Sequence, residues 1–451
     1  MAEGTKLFGM PAEKGRWMYV VLGFIVNICL GSVYAYSIFG KQLASAGEWN
    51  FWHLASDGVT KFQTASDIFK QQIPFGVFLL FFAVVFLFSG QLLEKLGPKK
   101  QGIIGGVVVA LGWILASFVA KWTHSVPLFV LTYGVIGGAG VGICYIVPIQ
   151  AATRWFPDKK GLATGLALAG FGGSPFISTY LGQKLINMHT PHQVFDALLY
   201  LGIAFLVVIL VSSWFMKFPE AGWKPAGWAP KAATAAATST VNYNRKEIIK
   251  TRAFWVLFVC YAIGAMAGLM AIGIYGSVMT LVGIGLTATV VQFVLAPFNA
   301  GGRPLLGFVT DKLGPRVAAM ITFAIILAAA IIMIIVKSGD LVSGAHKIMY
   351  FVAFCAFYLG LGGWLAIAPT ATAQYFGTKF SARNYGVVFL AYGVGGLVAT
   401  FVAAYSKSIF GGQQALISAF IPVAILAGLG LLMAAFLMKP PKPEKEEEPK
   451  K

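Results

Sequence analysis

The sequence predicts an all-α membrane protein with twelve transmembrane helices in two six-helix pseudo-symmetric halves. Three observations carry this. The chain of 451 residues is 58% hydrophobic and only 11% charged, whereas soluble domains average about 25% charged residues. Apolar runs of about 20 residues, enough helix to cross a hydrocarbon core about 30 Å thick, recur along it. A loop motif also returns at matched places in the two halves of the chain.

In chain order the runs fall near 17–42, 72–92, 102–121, 127–152, 161–186, 195–216, 252–280, 286–309, 316–336, 347–371, 385–406 and 413–437. The first lacks a small-residue cleavage site and is too long for a signal-peptide core, so it counts as a span and the chain is expected to keep its own N-terminus. Residues 218–250 have the Pro, Gly, Ala and Thr composition of a linker and divide the spans six and six. The expected domains are therefore 1–217, the cytoplasmic linker 218–250, 251–438, and a disordered charged tail at 439–451.

A net charge of +18 could suggest a nucleic-acid partner, but topology accounts for it. With both termini on one side, the other side holds eight of the 34 Lys and Arg, Arg303 lies on neither, and the remaining 25 share the side of the termini. The positive-inside rule then makes both termini cytoplasmic, in a cell (inner) membrane, with no nucleic acid among the partners. Cys29, Cys144, Cys260 and Cys355 all lie in spans without metal-ligand spacing and read as small buried hydrophobes, so no disulfide, metal or cofactor is expected.

The repeated motif is "GQLLEKLGPKK" at 90–100 and "GFVTDKLGPRV" at 307–317, which match Gly90 with Gly307, Glu94 with Asp311, Gly97 with Gly314 and Pro98 with Pro315. Gly90 and Gly307 are expected to let helices approach closely, the acid to cap a helix or pair with a base, and Gly-Pro to force a tight turn. Each copy follows the second span of its half. Such a loop resembles that of the major facilitator superfamily, in which Glu94, Asp311 and Arg316 would be gating residues closing the cytoplasmic side. Further stretches, "GSVYAYSIF" at 31–39, "GAGVGICY" at 138–145, "RWFPDKKGLATG" at 154–165, "FNAGGRPLLGFVTDKLG" at 298–314 and "FSARNYG" at 380–386, are similar to the oxalate/formate antiporter subfamily and its monocarboxylate-carrier relatives.

Arg303 is the one charge inside a span. A charge there costs roughly 2.5–3.5 kcal/mol on insertion scales and by default marks a functional site. All sixteen Asp and Glu fall in tails, loops or helix ends, so no internal carboxylate is available to pair with it. An anionic substrate is then the expected counter-charge, because guanidinium offers a fixed fork of donors that matches a carboxylate. Asn299, one turn earlier, and Gln292, two turns before that, extend a polar stripe on the same face. Tyr34, Tyr36, Tyr145 and Tyr392 are expected to meet it at the interface of the halves as donors and walls.

The subfamily resemblance implies Phe171, Leu361, Leu365 and Phe389 as further lining residues and also marks departures. Tyr392 stands where dicarboxylate-handling members carry a lysine, Leu361 and Leu365 replace aromatic residues, and Phe171 replaces a tyrosine. One positive charge with an apolar lining suits a small monocarboxylate, such as lactate, pyruvate or formate, better than oxalate. The expected function is secondary active transport of that anion by alternating access, acting as a monomer, by exchange or by proton symport. No Asp or Glu lies inside a span, and the five histidines sit outside or at helix ends, so in symport the substrate's own carboxylate would accept the proton. A membrane sensor and an oxalate/formate-type exchanger are the competing readings. An enzyme is disfavoured because no paired carboxylates, Ser-His-Asp set or phosphate-cradling loop occurs at catalytic spacing. The aromatic loop at about 44–70 is expected to form an interfacial helix or a lid.

Overall fold

The computed structural model describes residues 6–45, 52–54, 60–62, 65–188, 194–220, 223–225, 242–338, 344–377, 380–410 and 415–441, together with the helices they form. Eight helical stretches among them are long and apolar enough to cross a membrane. Two of the eight, Ala65–Phe118 and Ala288–Ser338, each break into two arms, at Gly97 (φ 74°, ψ 170°) and Gly314 (φ 82°, ψ 161°). Counting the arms separately and adding Lys160–Met188 and the helix ending at Phe436 gives twelve helices among the described residues, one per expected span.

The two breaks explain the repeat. Positive φ with ψ near 180° is open essentially to glycine alone. The proline that follows supplies the fixed φ of a helix start and sacrifices only an N–H that has no intrahelical partner there. The same three letters, L-G-P, therefore build the same corner in both halves.

Close approach at the first glycine of each motif is not found. A Cβ on Gly90 would meet nothing within 4 Å, and one on Gly307 would make only an ordinary contact, 3.5 Å from the Ala366 Cβ. The pressed glycines lie deeper. A Cβ on Gly302 would collide with the Leu359 carbonyl, and one on Gly362 with the Asn299 carbonyl, so the eighth helix is seated on the tenth at the level of Asn299 and Arg303.

The first and fourth helices depart from regular α geometry within their length. The first passes through a tight 3₁₀ turn at Gly31–Ala35, between Trp17–Leu30 and Tyr36–Ser45. The fourth is π-helical over Val130–Gly137 before Gly138–Cys144 and Ile146–Trp155, whereas the eleventh, Ser381–Val388 and Leu390–Phe410, keeps helical φ and ψ at the Phe389 that joins its two parts. Such irregular backbone is tolerated at membrane depth where it is buried in protein, and Gly31–Ala35 is buried throughout.

The first six helices meet the last six along three seams, the second helix on the eleventh, the fifth on the eighth and the end of the first on the seventh. In the loop expected to form an interfacial helix or a lid, Trp52–Leu54 pairs antiparallel with Thr60–Phe62 as a two-stranded hairpin, so this part is not a helix. Trp49 and Phe51 lie outside the described residues. Period-two patterning in "WHL" and "TKF" suits strands better than the helix inferred from aromatic content alone. At its far end the linker forms a short helix, Arg245–Ile248, capped by Asn244 and Glu247 in a reciprocal box.

Candidate functional site

Arg303 lies in the eighth helix and is 5% exposed, so its charge does not reach the aqueous surface. Its Nη1 donates to the Leu168 carbonyl of the fifth helix at 2.7 Å, crossing the seam between the halves. Nε and Nη2 have no hydrogen-bond partner. The ion pairs among the described residues are Arg16–Asp158 and Glu94–Arg383, so no described carboxylate pairs with Arg303. One turn earlier, Asn299 is fully buried with both its amide nitrogen and its amide oxygen unpartnered. Buried polar groups are nearly always satisfied, so unmet donors and an unmet acceptor grouped on one helix face are an uncommon arrangement.

Aromatic rings close around this face. The Phe171 ring centre is 5.9 Å from the Arg303 guanidinium carbon, and the Tyr145 hydroxyl is beside the guanidinium. Phe171 in turn contacts Tyr34 at 5.1 Å and Tyr145 at 5.2 Å, both edge-on. On the other half, Phe389 stacks on Tyr392 at 5.0 Å. The Tyr34 and Tyr392 hydroxyls are 2.6 Å apart and hydrogen-bonded, joining the first and eleventh helices directly.

Phe82 of the second helix occupies the centre, within 5.1–6.0 Å of Tyr145, Phe171, Phe389 and Tyr392. Neither Phe82 nor Tyr261, whose ring lies 6.5 Å from Tyr392 and whose buried hydroxyl is unpartnered, is singled out by the sequence reading. A readable signal existed for Phe82. Phe75, Phe78, Phe82 and Phe86 recur at helical spacing and are all buried, whereas Phe88, off that stripe, is exposed.

Other expected residues sit elsewhere. Tyr36 is two positions from Tyr34 and so points to the opposite side of its helix; its hydroxyl donates to the Gln71 carbonyl and its ring packs on Phe75 and Tyr133, all within the first half. Gln292 is buried but bonded through Nε2 to the Tyr358 hydroxyl, three turns from Arg303. Leu361 packs against Gly268 of the seventh helix, and Leu365 is half-buried.

The duplicated loops behave unequally. Glu94 accepts from Arg383 at 3.3 Å, linking the corner of the first half to the start of the eleventh helix, with both side chains more than half exposed. Asp311 is exposed and forms no ion pair with a described residue. Arg316 donates to the Ala435 carbonyl of the twelfth helix, within its own half.

A second ion pair, not anticipated, lies between the start of the first helix and the loop after the fourth. Arg16 holds Asp158 bidentately at 2.6 and 2.8 Å, donates to the Trp155 carbonyl at 3.1 Å and rests 4.4 Å from the Phe156 ring centre. Hydrogen bonding from Arg16 holds the Asp158 carboxyl below the usual carboxylate range.

Sequence comparison decides the family, since a model of the Major Facilitator Superfamily matches residues 20–400 and 302–451. The chain belongs to the Major Facilitator Superfamily. It is a multi-pass secondary transporter, not an enzyme. Its relatives include the oxalate:formate antiporter of Oxalobacter formigenes, 28% identical over 433 residues that cover 94% of this chain and 91% of that protein. Apicoplast pyruvate carrier 1 of Toxoplasma gondii is 23% identical, covering 84% and 81%. Human monocarboxylate transporter 14 is 30% identical over 172 residues, covering 38% of this chain and 29% of that one. Among solved structures, an inward-facing, unoccupied bacterial homolog of the human lysosomal transporter Spinster shares the fold, with a TM-score of 0.60 at 15% identity, covering 96% of this chain and all of that one.

Proposed function

We propose that this transporter carries small organic monocarboxylates of the lactate, pyruvate and formate type by alternating access, with Arg303 as the anion anchor. The observation that carries the proposal is the pair of unpartnered donors on Arg303, Nε and Nη2, facing a buried aromatic enclosure with no described carboxylate to neutralise them. These two nitrogens lie on one edge of the guanidinium plane, the edge that takes a carboxylate bidentately. Asn299 adds a donor and an acceptor one turn away, suited to a 2-keto or 2-hydroxy oxygen next to that carboxylate. Tyr145, Phe171, Tyr34, Tyr392 and Phe389 form the walls. Both termini are assigned to the cytoplasm, with Glu94 and Arg383 as the cytoplasmic latch.

Similarity to the oxalate:formate antiporter supports a second reading, exchange of a dicarboxylate. A second cation to hold the other carboxylate is what that reading needs, and the hydroxyls of Tyr34 and Tyr392 occupy the facing wall instead. A competition panel in proteoliposomes tests both readings, with lactate, pyruvate, formate and oxalate each added against labelled lactate. Strong competition by the monocarboxylates and weak competition by oxalate is expected. Oxalate as the best competitor would replace the first reading with the second, and no uptake of any of the four would end both.

A further inference from the structure

Away from Arg303, toward the ends of the helices opposite Gly97 and Gly314, a second set of buried polar side chains spans both halves. It comprises Thr179 of the fifth helix, Tyr275 of the seventh, Gln292 of the eighth and Tyr358 of the tenth, each 0% exposed. None of the four carries a charge. The Gln292 Nε2 donates to the Tyr358 hydroxyl at 2.9 Å. The Tyr275 hydroxyl sits next to Thr179 and Gln292, yet the Tyr275 hydroxyl, the Thr179 hydroxyl and the Gln292 Oε1 have no partner in hydrogen-bonding geometry. Two donor-acceptor hydroxyls and an amide oxygen converging in one buried place are the partners a bound water needs, since buried waters typically make about three hydrogen bonds to such groups.

The set continues in both directions. Outward, one turn along each helix, the Thr289 hydroxyl donates to the Gln183 Oε1 at 2.7 Å across the same fifth–eighth seam. Inward, the Tyr358 hydroxyl lies within electrostatic range of Tyr34, which bonds Tyr392 and is within the same range of Arg303. From Gln292 to Arg303 the eighth helix rises by about 16 Å, the interval a path between the two sites has to cover. The titratable groups around the set are Tyr34, Tyr350 and Cys355.

We infer that Thr179, Tyr275, Gln292 and Tyr358 form a water-binding relay that conducts a proton from the outer face to the carboxylate held at Arg303. In each step a hydroxyl or water oxygen forms one O–H bond with the proton arriving from outside and breaks its own O–H bond inward, so no side chain is left charged. Gln292 orders the water and does not itself relay. The last transfer forms the O–H bond of a neutral carboxylic acid, weakening its hold on the guanidinium. This rests on the carboxylate reading above and adds the path by which net uptake would be proton-linked although no acid lies inside a span.

Two assays on the same proteoliposomes test it, one following net lactate uptake driven by a pH gradient with an internal pH dye, the other following labelled lactate–lactate exchange at equal pH. The Thr179→Val, Tyr275→Phe double variant, which keeps shape and removes both hydroxyls, is expected to lower proton-linked uptake at least tenfold while leaving exchange within twofold. Thr179→Ser is expected to behave as the unmodified protein. Equal losses in both assays would assign the cluster to packing and overturn the relay. So would unchanged proton-linked uptake in the double variant, or exchange by the unmodified protein with no proton entry. Absence of exchange in the unmodified protein would instead count against the carboxylate reading.

Discussion

Replacing Arg303 by lysine keeps a positive charge and removes the fork. In the structure one branch of the guanidinium, Nη1, is committed to the Leu168 carbonyl at 2.7 Å, leaving Nε and Nη2 for an anion. An ammonium group can replace one of these contacts but cannot span both oxygens of a carboxylate while also holding the carbonyl. Loss of one hydrogen bond to a charged group costs about 1.5–3 kcal/mol, and each 1.4 kcal/mol is tenfold in affinity. Arg303→Lys should therefore raise the half-saturating lactate concentration about 10- to 100-fold in proteoliposome uptake. Arg303→Leu should abolish uptake altogether, yet it removes two unsatisfied buried donors, each costing about 1–3 kcal/mol. That variant should consequently melt no lower than the unmodified protein in detergent. Half-saturation unchanged in Arg303→Lys would refute the bidentate anchor, and a sharply destabilised Arg303→Leu would show that the arginine is structural.

Two further outcomes follow from the two ion pairs. Glu94 and Arg383 are both more than half exposed, so breaking their pair should change stability by no more than about 1 kcal/mol; Glu94→Gln should leave the melting temperature nearly constant while raising labelling of a cysteine placed at Gly90, and unchanged labelling would remove the pair from the latch. Asp158 is held by Arg16 and its folded carboxyl lies below its ordinary value, so the stability it contributes is present above about pH 4, the unfolded carboxylate value, and is lost as pH falls through the folded value. Asp158→Asn should lose about 3 kcal/mol at neutral pH, the cost of leaving a buried partner charge uncompensated, and should flatten the acid limb of the thermal-melting profile; an acid limb identical to that of the unmodified protein would place the sensitivity elsewhere.

Much of the site is local enough to read from sequence. Arg303 and Asn299 are one helical turn apart, and the absence of any acid from the spans isolates Arg303 before any coordinate is known. Tyr34, Tyr145, Phe171, Phe389 and Tyr392 are brought together, although they come from four helices far apart in the chain. Tyr36 is not among them, because two positions along a helix turn its side chain to the side opposite Tyr34, onto Gln71, Phe75 and Tyr133. Phe82 is legible only as one of a helical-spaced stripe, Phe75, Phe78, Phe82 and Phe86; packing decides that its ring lies among Tyr145, Phe171, Phe389 and Tyr392.

Alone, the sequence determined the class, the twelve helices, the duplicated corner and the lone arginine within a span. Each depends on properties a short segment holds by itself: apolar length, a glycine that tolerates positive φ, a charge without a nearby opposite. Tertiary structure decided which donors of Arg303 are occupied, which of the two duplicated acids finds a partner, and that Arg16 and Asp158 meet at all. Those outcomes depend on distances between residues more than a hundred positions apart, set by how close-packed helices seat on one another, as Gly302 and Gly362 seat the eighth on the tenth.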